Sequence, residues 1–261
     1  MTLQMLVSGV QLNTDTIAET MNLQSDSIII NQCDQNAYEQ YGYNGHEIKI
    51  YSFAERGVGL SRNNALLRAT ADIILFSDED IVYEDGYVDN ILRAFEEHPE
   101  ADMLLFNMDV AEDRATYHID DFARFHKWNC GRYPTYSFAC RREVIHKKNI
   151  TFNLLFGGGA KYCNGEDSLF IQECLKKGLK VYTVPVQIGR EVPRPSTWFN
   201  GYTDKFFHDR GVLYKALYGP LARPMALRFL IKNKGTMLTD RAVSAAYSLM
   251  KQGMAEFDLL R

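Results

Sequence analysis

The feature that most constrains the fold is an alternation of short apolar runs with segments of helical period. Runs typical of buried strands occur at "LQMLVSGV", "SIIIN", "EIKIYSF", "ADIILFS" and "ADMLLFN". Between the last two, apolar residues of segment 86–97 recur at helical spacing up to a stop at Pro99. This alternation predicts an α/β protein.

The chain is long enough for one large domain and an appendage. It has 261 residues, of which 46% are hydrophobic, so it can bury a sizeable core. Pro193 and Pro195 break the alternation, and aromatic and basic helical segments follow. We therefore predict a domain at 1–190 and a helical extension at 191–261.

Composition argues for a cytoplasmic protein. The five cysteines are scattered and lack C-x-x-C spacing, so neither a disulfide framework nor a zinc site is predicted. No basic leader with an apolar core is present at the N-terminus, and no stretch reaches the roughly 18 apolar residues of a membrane span.

Charge is distributed unevenly along the chain. From Gly201 onward ten Lys and Arg face five Asp and Glu, whereas the remainder has 19 basic and 28 acidic residues. No nucleic-acid partner is expected, because no basic recognition motif occurs. The segment "LARPMALRFLIKNK" has two interpretations, a packing helix with a basic outer face or a helix that touches an anionic membrane surface.

Three acids follow one of the apolar runs. "ADIILF" is apolar throughout, as expected of a strand covered on both faces, so Asp78, Glu79 and Asp80 should emerge at its carboxyl end. Ligands of open α/β sheets bind at that end. Because side chains alternate along an extended chain, Asp78 and Asp80 are expected to converge on one divalent cation. The other interpretation is a solvated acidic turn.

A second acidic pair, Glu166 and Asp167, opens a predicted helix that ends at Gly178. An acid at a helix start is also explained by the helix dipole. That explanation does not cover the glycines at 157–159, centred on Gly158, whose missing side chains let a ligand approach the backbone. One metal-like and one base-like acidic site together favour group transfer from a diphosphate.

The order of these motifs resembles glycosyltransferase family 2. The stretch "GLSRNNALLRATADIILFSDED", followed by "NGEDSLFIQECLKKGLKVY", is similar to that family's small-residue–Arg–Asn helix, D-x-D strand end and E-D pair. The resemblance spans residues 3 to 190 and implies a GT-A fold, a Rossmann-like, mixed, mainly parallel sheet flanked by helices. It also implies transfer of a sugar, with inversion, from a nucleotide-diphosphate donor such as a UDP-sugar to a glycan or lipid-linked acceptor.

The resemblance also assigns roles to the acids. Asp78 and Asp80 fall on the D-x-D positions, whose acids address the ribose and a Mn²⁺ or Mg²⁺ ion. Asp167 falls on the aspartate that acts as the base, beside Glu166. Physically, a cation would neutralise charge on the leaving diphosphate, and a positioned carboxylate would deprotonate the attacking hydroxyl.

Further candidates lie around the nucleotide. Arg62 and Asn63 match the family's helix near the nucleotide, and Gly158 offers open backbone. Asn31 and Asp34, after the second strand, either hydrogen-bond a uracil or shape a turn.

Several alternatives remain open at the level of sequence. His208 in the tail is either a metal ligand or a surface residue. A sugar-nucleotidyltransferase is disfavoured, because "VSGVQLN" lacks a glycine-rich basic loop, and a non-catalytic sugar- or nucleotide-binding module is the other alternative. The leading interpretation is an enzyme of polysaccharide or glycolipid glycan synthesis, at the inner face of the membrane if the tail touches it.

Overall fold

A computed structural model describes residues 1–112, 114–193 and 201–259. Its strands are β1 (Leu3–Val10), β2 (Asp26–Gln32), β3 (Ala37–Tyr43), β4 (His46–Phe53), β5 (Ile73–Asp78), β6 (Ile81–Tyr83), β7 (Met103–Asp109), β8 (Ala123–Arg124), β9 (Phe138–Arg141) and β10 (Val181–Glu191). Within these ranges they form one sheet in the order β3-β4-β2-β1-β5-β9-β7-β10-β6, with β8 also pairing with β10.

Helices cover both faces of the sheet and form the C-terminal extension. They are α1 (Ile17–Thr20), α2 (Val58–Arg68), α3 (Tyr87–Glu97), α4 (Arg142–Lys147), α5 (Glu166–Lys176), α6 (Asp204–Tyr218), α7 (Ala222–Lys232), α8 (Lys234–Met237) and α9 (Val243–Leu259). Three 3₁₀ segments lie at Lys127–Arg132, Thr135–Ser137 and Gly219–Leu221.

The sheet is mixed but mainly parallel, as the family resemblance implies. β4, β2, β1 and β5 pair in parallel, and so do β7 and β10. The strands β3, β6 and β9 run the opposite way. All the strands predicted from apolar runs are confirmed, whereas β3 was not predicted because its sequence "AYEQYGY" is polar and its side chains are largely exposed.

The strand β5 is covered on both faces, as its continuous apolar sequence predicts. Ile73 and Leu75 belong to a core that also receives α1 and α3, while Ile74 and Phe76 belong to a core that receives α2, α4 and α5. All four side chains are fully buried. Because both faces of β5 are packed in these cores, its position in the sheet is fixed. The strand ends at Asp78, at the edge of the sheet.

The turn after β5 brings a distant strand to the same edge. Residues 79 and 80 connect β5 to the short strand β6, which pairs antiparallel with the end of β10. The Val192 N–H donates to the Asp80 carbonyl over 2.8 Å. Glu191, the last residue of β10, is therefore held beside the acids that follow β5.

The C-terminal extension packs on itself and on the domain. α6, α7 and α9 share an apolar cluster that includes Phe207, Leu230 and Met250. The predicted boundary at residue 190 falls one residue before the end of β10, and residues 194–200 lie outside the described part of the chain. In α7, Ala222, Ala226 and Leu230 are buried, as expected of a packing helix.

In the described residues no helix is both long and apolar enough to cross a membrane. The five cysteines are free thiols.

Candidate active site

A cavity of about 180 Å³ opens at the carboxyl ends of β1, β2 and β5. It gathers residues from the sheet edge, from α2 and α5, and from the long connection between β7 and β9. We call it the donor cavity, and it is lined by Gly9, Val10, Gln32, Val58, Arg62, Asp78, Glu79, Asp80, Arg114, Tyr136, Gly158, Glu166 and Glu191. This is the sheet edge at which α/β folds bind ligands.

Arg62 ties the two predicted acidic motifs together. Its guanidinium donates to Asp78 over 2.7 Å and to Glu166 over 2.8 Å, although these acids are 88 positions apart in sequence. The Arg62 side chain is only 3% exposed. Burial alone would lower the pKa of Arg62, but the two carboxylates raise its pKa above the usual value. Arg62 therefore stays charged and holds the end of β5 against the start of α5.

Asp167 lies next to this ion pair without lining the donor cavity. Its Oδ1 accepts hydrogen bonds from the Ser168 N–H over 2.6 Å and from the Ser168 hydroxyl over 3.1 Å. Burial and the charge of Glu166 raise the pKa of Asp167 to about 7, against the smaller opposing effects of the Ser168 bonds and Arg62. A carboxylate with such a pKa is half ionised near neutral pH and can take up a proton there.

The charge of Asp167 also reaches the 3₁₀ segment Lys127–Arg132. Burial, and secondarily the charge of Asp167, raise the pKa of the Cys130 thiol to about 12. Asp167 thus lies between the donor cavity, which Glu166 lines, and the wall formed by that 3₁₀ segment.

The carboxylates of the donor cavity suit a hard divalent cation. Asp78, Asp80 and Glu191 all line it, and carboxylate oxygens are the ligands that Mg²⁺ and Mn²⁺ prefer. Burial raises the pKa of Glu191, and the charges of Asp80 and Asp78 raise it further against the lowering effect of Arg114. Within the described ranges no three His, Cys, Asp or Glu side chains already form a metal-binding group. These carboxylates therefore have the chemistry that a divalent cation requires, although the described side chains are not already arranged as a metal site.

The sequence model of Glycosyl transferase family 2 matches residues 28–157, which include α2, β5 and the acids 78–80. This chain is a family 2-type glycosyltransferase. No curated protein matches it.

Solved structures share the fold of this glycosyltransferase. TarS residues 1–349 from S. aureus, in complex with UDP-GlcNAc, aligns with a TM-score of 0.65 at 13% identity, over 92% of this chain and 74% of that chain. The same TarS segment in complex with UDP aligns with a TM-score of 0.62 at 14% identity, over the same shares of the two chains. A further TarS crystal structure aligns with a TM-score of 0.63 at 15% identity, over 92% of this chain and 45% of that chain. The fold is therefore GT-A with a helical C-terminal part.

Besides Asp167, four predicted residues of the glycosyltransferase lie outside the donor-cavity lining. The Asn31 side chain accepts from the Leu12 N–H over 3.0 Å and donates to the Ser52 hydroxyl over 3.2 Å. The Asn63 amide makes both of its hydrogen bonds, of 2.7 and 2.9 Å, with the backbone of Phe152. The side chains of both asparagines therefore form hydrogen bonds within the protein in this structure.

The other two are engaged by neighbouring charges. Asp34 is 83% exposed and pairs with Arg56 over 2.9 Å. His208 lies 3.2 Å from Asp209 through Nδ1 and 3.1 Å from Glu256 through Nε2, so both ring nitrogens face carboxylates of the extension. The structure does not bring His208 to Asp80.

The glycine run mainly serves close packing within the protein. A Cβ on Gly157 would lie 2.5 Å from Val58 and 2.8 Å from a Glu166 oxygen, and Gly159 at a φ of +78° lies against the backbone of Gly57. Gly158 is the member of the run that lines the donor cavity, and its carbonyl accepts from the Val58 N–H over 2.9 Å. Of the three glycines expected to expose their backbone to a ligand, Gly158 is therefore the one that does so.

Sequence reasoning missed Gln32, Arg114, Tyr136 and Glu191. Glu191 ends a strand, so the rule that led to Asp78 also applies to it. The Gln32 side chain accepts from the Gly57 N–H over 2.7 Å and thereby fixes the entrance of α2. Arg114 reaches the cavity through its 2.7 Å pair with Glu191, a contact that no local sequence pattern encodes.

Proposed function

We propose that this glycosyltransferase transfers a sugar from a UDP-sugar to a hydroxyl of a glycan or lipid-linked acceptor, with inversion and with a bound Mn²⁺ or Mg²⁺. The observation that carries the proposal is the ion-paired arrangement of Asp78, Arg62 and Glu166, which joins the acids after β5 to those that open α5. The TarS structures with UDP-GlcNAc and UDP support the choice of a uridine donor.

In this proposal the acids of the donor cavity bind the cation, and Arg62 positions two of the carboxylates. Asp80 and Asp78, with Glu191 nearby, would hold the cation, which when bound stabilises negative charge on the leaving diphosphate. Arg62 keeps Asp78 and Glu166 in place, so the cavity is organised before donor binding.

Asp167 is the proposed base. The acceptor hydroxyl gives its proton to the Asp167 carboxylate as the hydroxyl oxygen attacks the anomeric carbon, and the bond from that carbon to the diphosphate breaks on the opposite side. The Ser168 hydrogen bonds fix the direction of the carboxylate. Glu166 contributes indirectly, because its charge keeps the pKa of Asp167 high enough for proton uptake at neutral pH.

The donor can be identified by thermal shift with UDP-, GDP-, dTDP- and CMP-sugars, each with and without Mn²⁺. We expect UDP-sugars with Mn²⁺ to raise the melting temperature most, because binding to the folded state alone stabilises it. No stabilisation by any nucleotide sugar would contradict the proposal.

Metal dependence is tested by chelation and by Asp80→Asn. We expect excess EDTA to abolish transfer and Asp80→Asn to reduce the Mn²⁺-dependent thermal shift with UDP, because a carboxylate is lost from the cation's ligands. Asp109→Asn is the matched control, since Asp109 is an exposed acid at the end of the nearby strand β7. Full transfer in excess EDTA would rule out the metal.

The pH dependence of transfer tests the base. Because Asp167 acts only when ionised, kcat/KM should rise with pH through the pKa of about 7 and then level off. Since the charge of Glu166 raises that pKa, Glu166→Gln should move the rising limb to lower pH. If kcat/KM of Glu166→Gln rose at the same pH as that of the wild type, the pH dependence could not be assigned to Asp167.

We also propose a peripheral membrane contact through α7. Leu227 and Ile231, one helical turn apart, remain 41% and 62% exposed although the opposite face of the helix is buried. Leu227→Ser with Ile231→Ser should lower association with phosphatidylglycerol vesicles in a flotation assay. Leu67→Ser is the control, because Leu67 is 73% exposed on α2. Equal flotation of all variants would argue against the contact.

A further inference from the structure

A second cavity, of about 550 Å³, lies between the start of α5, the 3₁₀ segment Lys127–Arg132 and the extension helices α6 and α7. Among the described residues its lining includes four basic side chains and several aromatic residues but no acid. We call it the basic cavity, and the residues that matter here are Arg132, Arg210, Arg228, Lys232, Tyr214 and Tyr218.

The basic cavity concentrates positive charge that the described residues do not neutralise. Within the described ranges none of its four basic side chains forms an ion pair, although ion pairs are frequent elsewhere on the extension. Like charges gathered in a concave site repel one another and raise the local potential, which attracts an anion. An anion would remove that repulsion.

Arg210 is the best-positioned of the four. Its guanidinium lies 5.1 Å from the ring centre of Phe206 and 5.4 Å from that of Phe229. Its Nε is buried and has no hydrogen-bond partner among the described residues. A buried donor without an acceptor is costly, and a guanidinium fork matches phosphate oxygens in geometry.

The basic cavity adjoins the proposed base on the side away from the donor. Glu166 lines the donor cavity and Ser168 lines the basic cavity, with Asp167 between them. Successive residues of a helix project about 100° apart, so the first turn of α5 separates the two cavities. A molecule held in the basic cavity would approach Asp167 from the acceptor side.

We infer that the basic cavity binds a phosphate group of the acceptor. This inference rests on the proposed function and narrows its acceptor to phosphate-bearing glycans, polyols or lipid-linked saccharides rather than neutral ones. Four basic groups exceed what a single carboxylate needs, and a phosphate carries more charge and more acceptor oxygens. Tyr214 and Tyr218 also line the cavity, so aromatic side chains would contact the sugar or carbon chain next to the phosphate.

The binding test uses inorganic phosphate and glycerol 3-phosphate in EDTA, measured by titration calorimetry. The test variant is Arg228→Ala with Lys232→Ala, because both side chains are exposed and their loss should not unfold α7. The control is Arg223→Ala, an exposed residue of α7 that lies outside the basic cavity. We expect the wild type and control to bind glycerol 3-phosphate saturably and the test variant to bind roughly tenfold or more weakly.

Two results would overturn the inference. One is the absence of saturable binding to the wild type, and the other is equal binding by the wild type and the test variant. Vesicles of phosphatidylglycerol and phosphatidylcholine separate the sources of phosphate. If the test variant loses only vesicle association and binds glycerol 3-phosphate normally, the basic groups serve a lipid surface and the inference is wrong.

UDP binding with Mn²⁺, measured on the same proteins, separates this inference from the proposed function. Failure of the wild type to bind UDP would contradict the proposed function. Normal UDP binding with no binding of glycerol 3-phosphate would contradict only the inference about the basic cavity.

Discussion

Replacing Asp167 with asparagine should lower sugar transfer by roughly 10²-fold or more, the loss expected when a general base is removed. Asparagine has nearly the same shape, and its amide oxygen can still accept the two hydrogen bonds from Ser168. Asp167 does not line the donor cavity, so UDP binding should be nearly unchanged. The experiment compares turnover, UDP binding and melting temperature on one preparation.

The control for this experiment is Glu166→Gln. Glu166 acts through the pKa of Asp167 and through its 2.8 Å pair with Arg62, so its replacement should cost less transfer than that of Asp167. If Asp167 were only an acid at a helix start, its loss would reduce stability by about 0.3 to 1 kcal/mol and leave turnover intact. An Asp167→Asn enzyme with most of its transfer rate would remove Asp167 from the mechanism.

Replacing Arg62 with methionine should lower the free energy of unfolding by about 3–5 kcal/mol, the usual cost of removing one partner from a buried ion pair. Methionine keeps much of the volume of the arginine stem but leaves Asp78 and Glu166 without their shared counter-charge. Both carboxylates would then repel each other near the donor cavity. Urea unfolding followed by circular dichroism measures the loss.

Two variants make the Arg62 result interpretable. Arg68→Met, in the same helix, should cost only about 1 kcal/mol. Arg68 is half-buried, its hydrogen bonds within the described residues go to Asn64, and it stacks on Tyr51 at 4.7 Å. Adding Asp78→Asn and Glu166→Gln to Arg62→Met should recover part of the stability, since no unpaired charge remains. Equal losses for Arg62→Met and Arg68→Met would mean that the ion pairs contribute little.

The fold was largely predictable because its signals are local. The strand β1 coincides with the run "LQMLVSGV", and α5 begins at Glu166 as the sequence predicts. Each signal depends on residues within one element, where apolar period and helix ends are encoded.

The site was only partly predictable because its contacts are not local. The acids after β5 and the acids opening α5 were found as separate motifs, but nothing in either motif says that Arg62 bonds to both. The expected alternation of Asp78 and Asp80 does not apply, because β5 ends at Asp78 and residue 80 lies in a turn. Both acids reach the cavity because that turn joins β5 to β6.

Polar residues after a strand were the least predictable. Asn31 is the penultimate residue of β2 and Asp34 lies two residues beyond its end. Asn31 is buried and hydrogen-bonds to Leu12 and Ser52, whereas Asp34 is exposed beside Arg56. Both are polar residues at the carboxyl end of an apolar run. Only the positions of Leu12, Ser52 and Arg56 distinguish them, and those positions depend on the whole sheet.

The way α9 is anchored restricts how chimeric enzymes can be built from this protein. Glu256 of α9 accepts from the Tyr162 hydroxyl over 2.6 Å and pairs with Lys161 over 2.7 Å, next to the glycine run that packs on Glu166. A graft that exchanges the C-terminal helices for those of a relative therefore breaks these contacts with the loop before α5 unless residues 161 and 162 are transplanted with them. The natural unit for such recombination is discontinuous, joining two residues before α5 to the helices that follow residue 201.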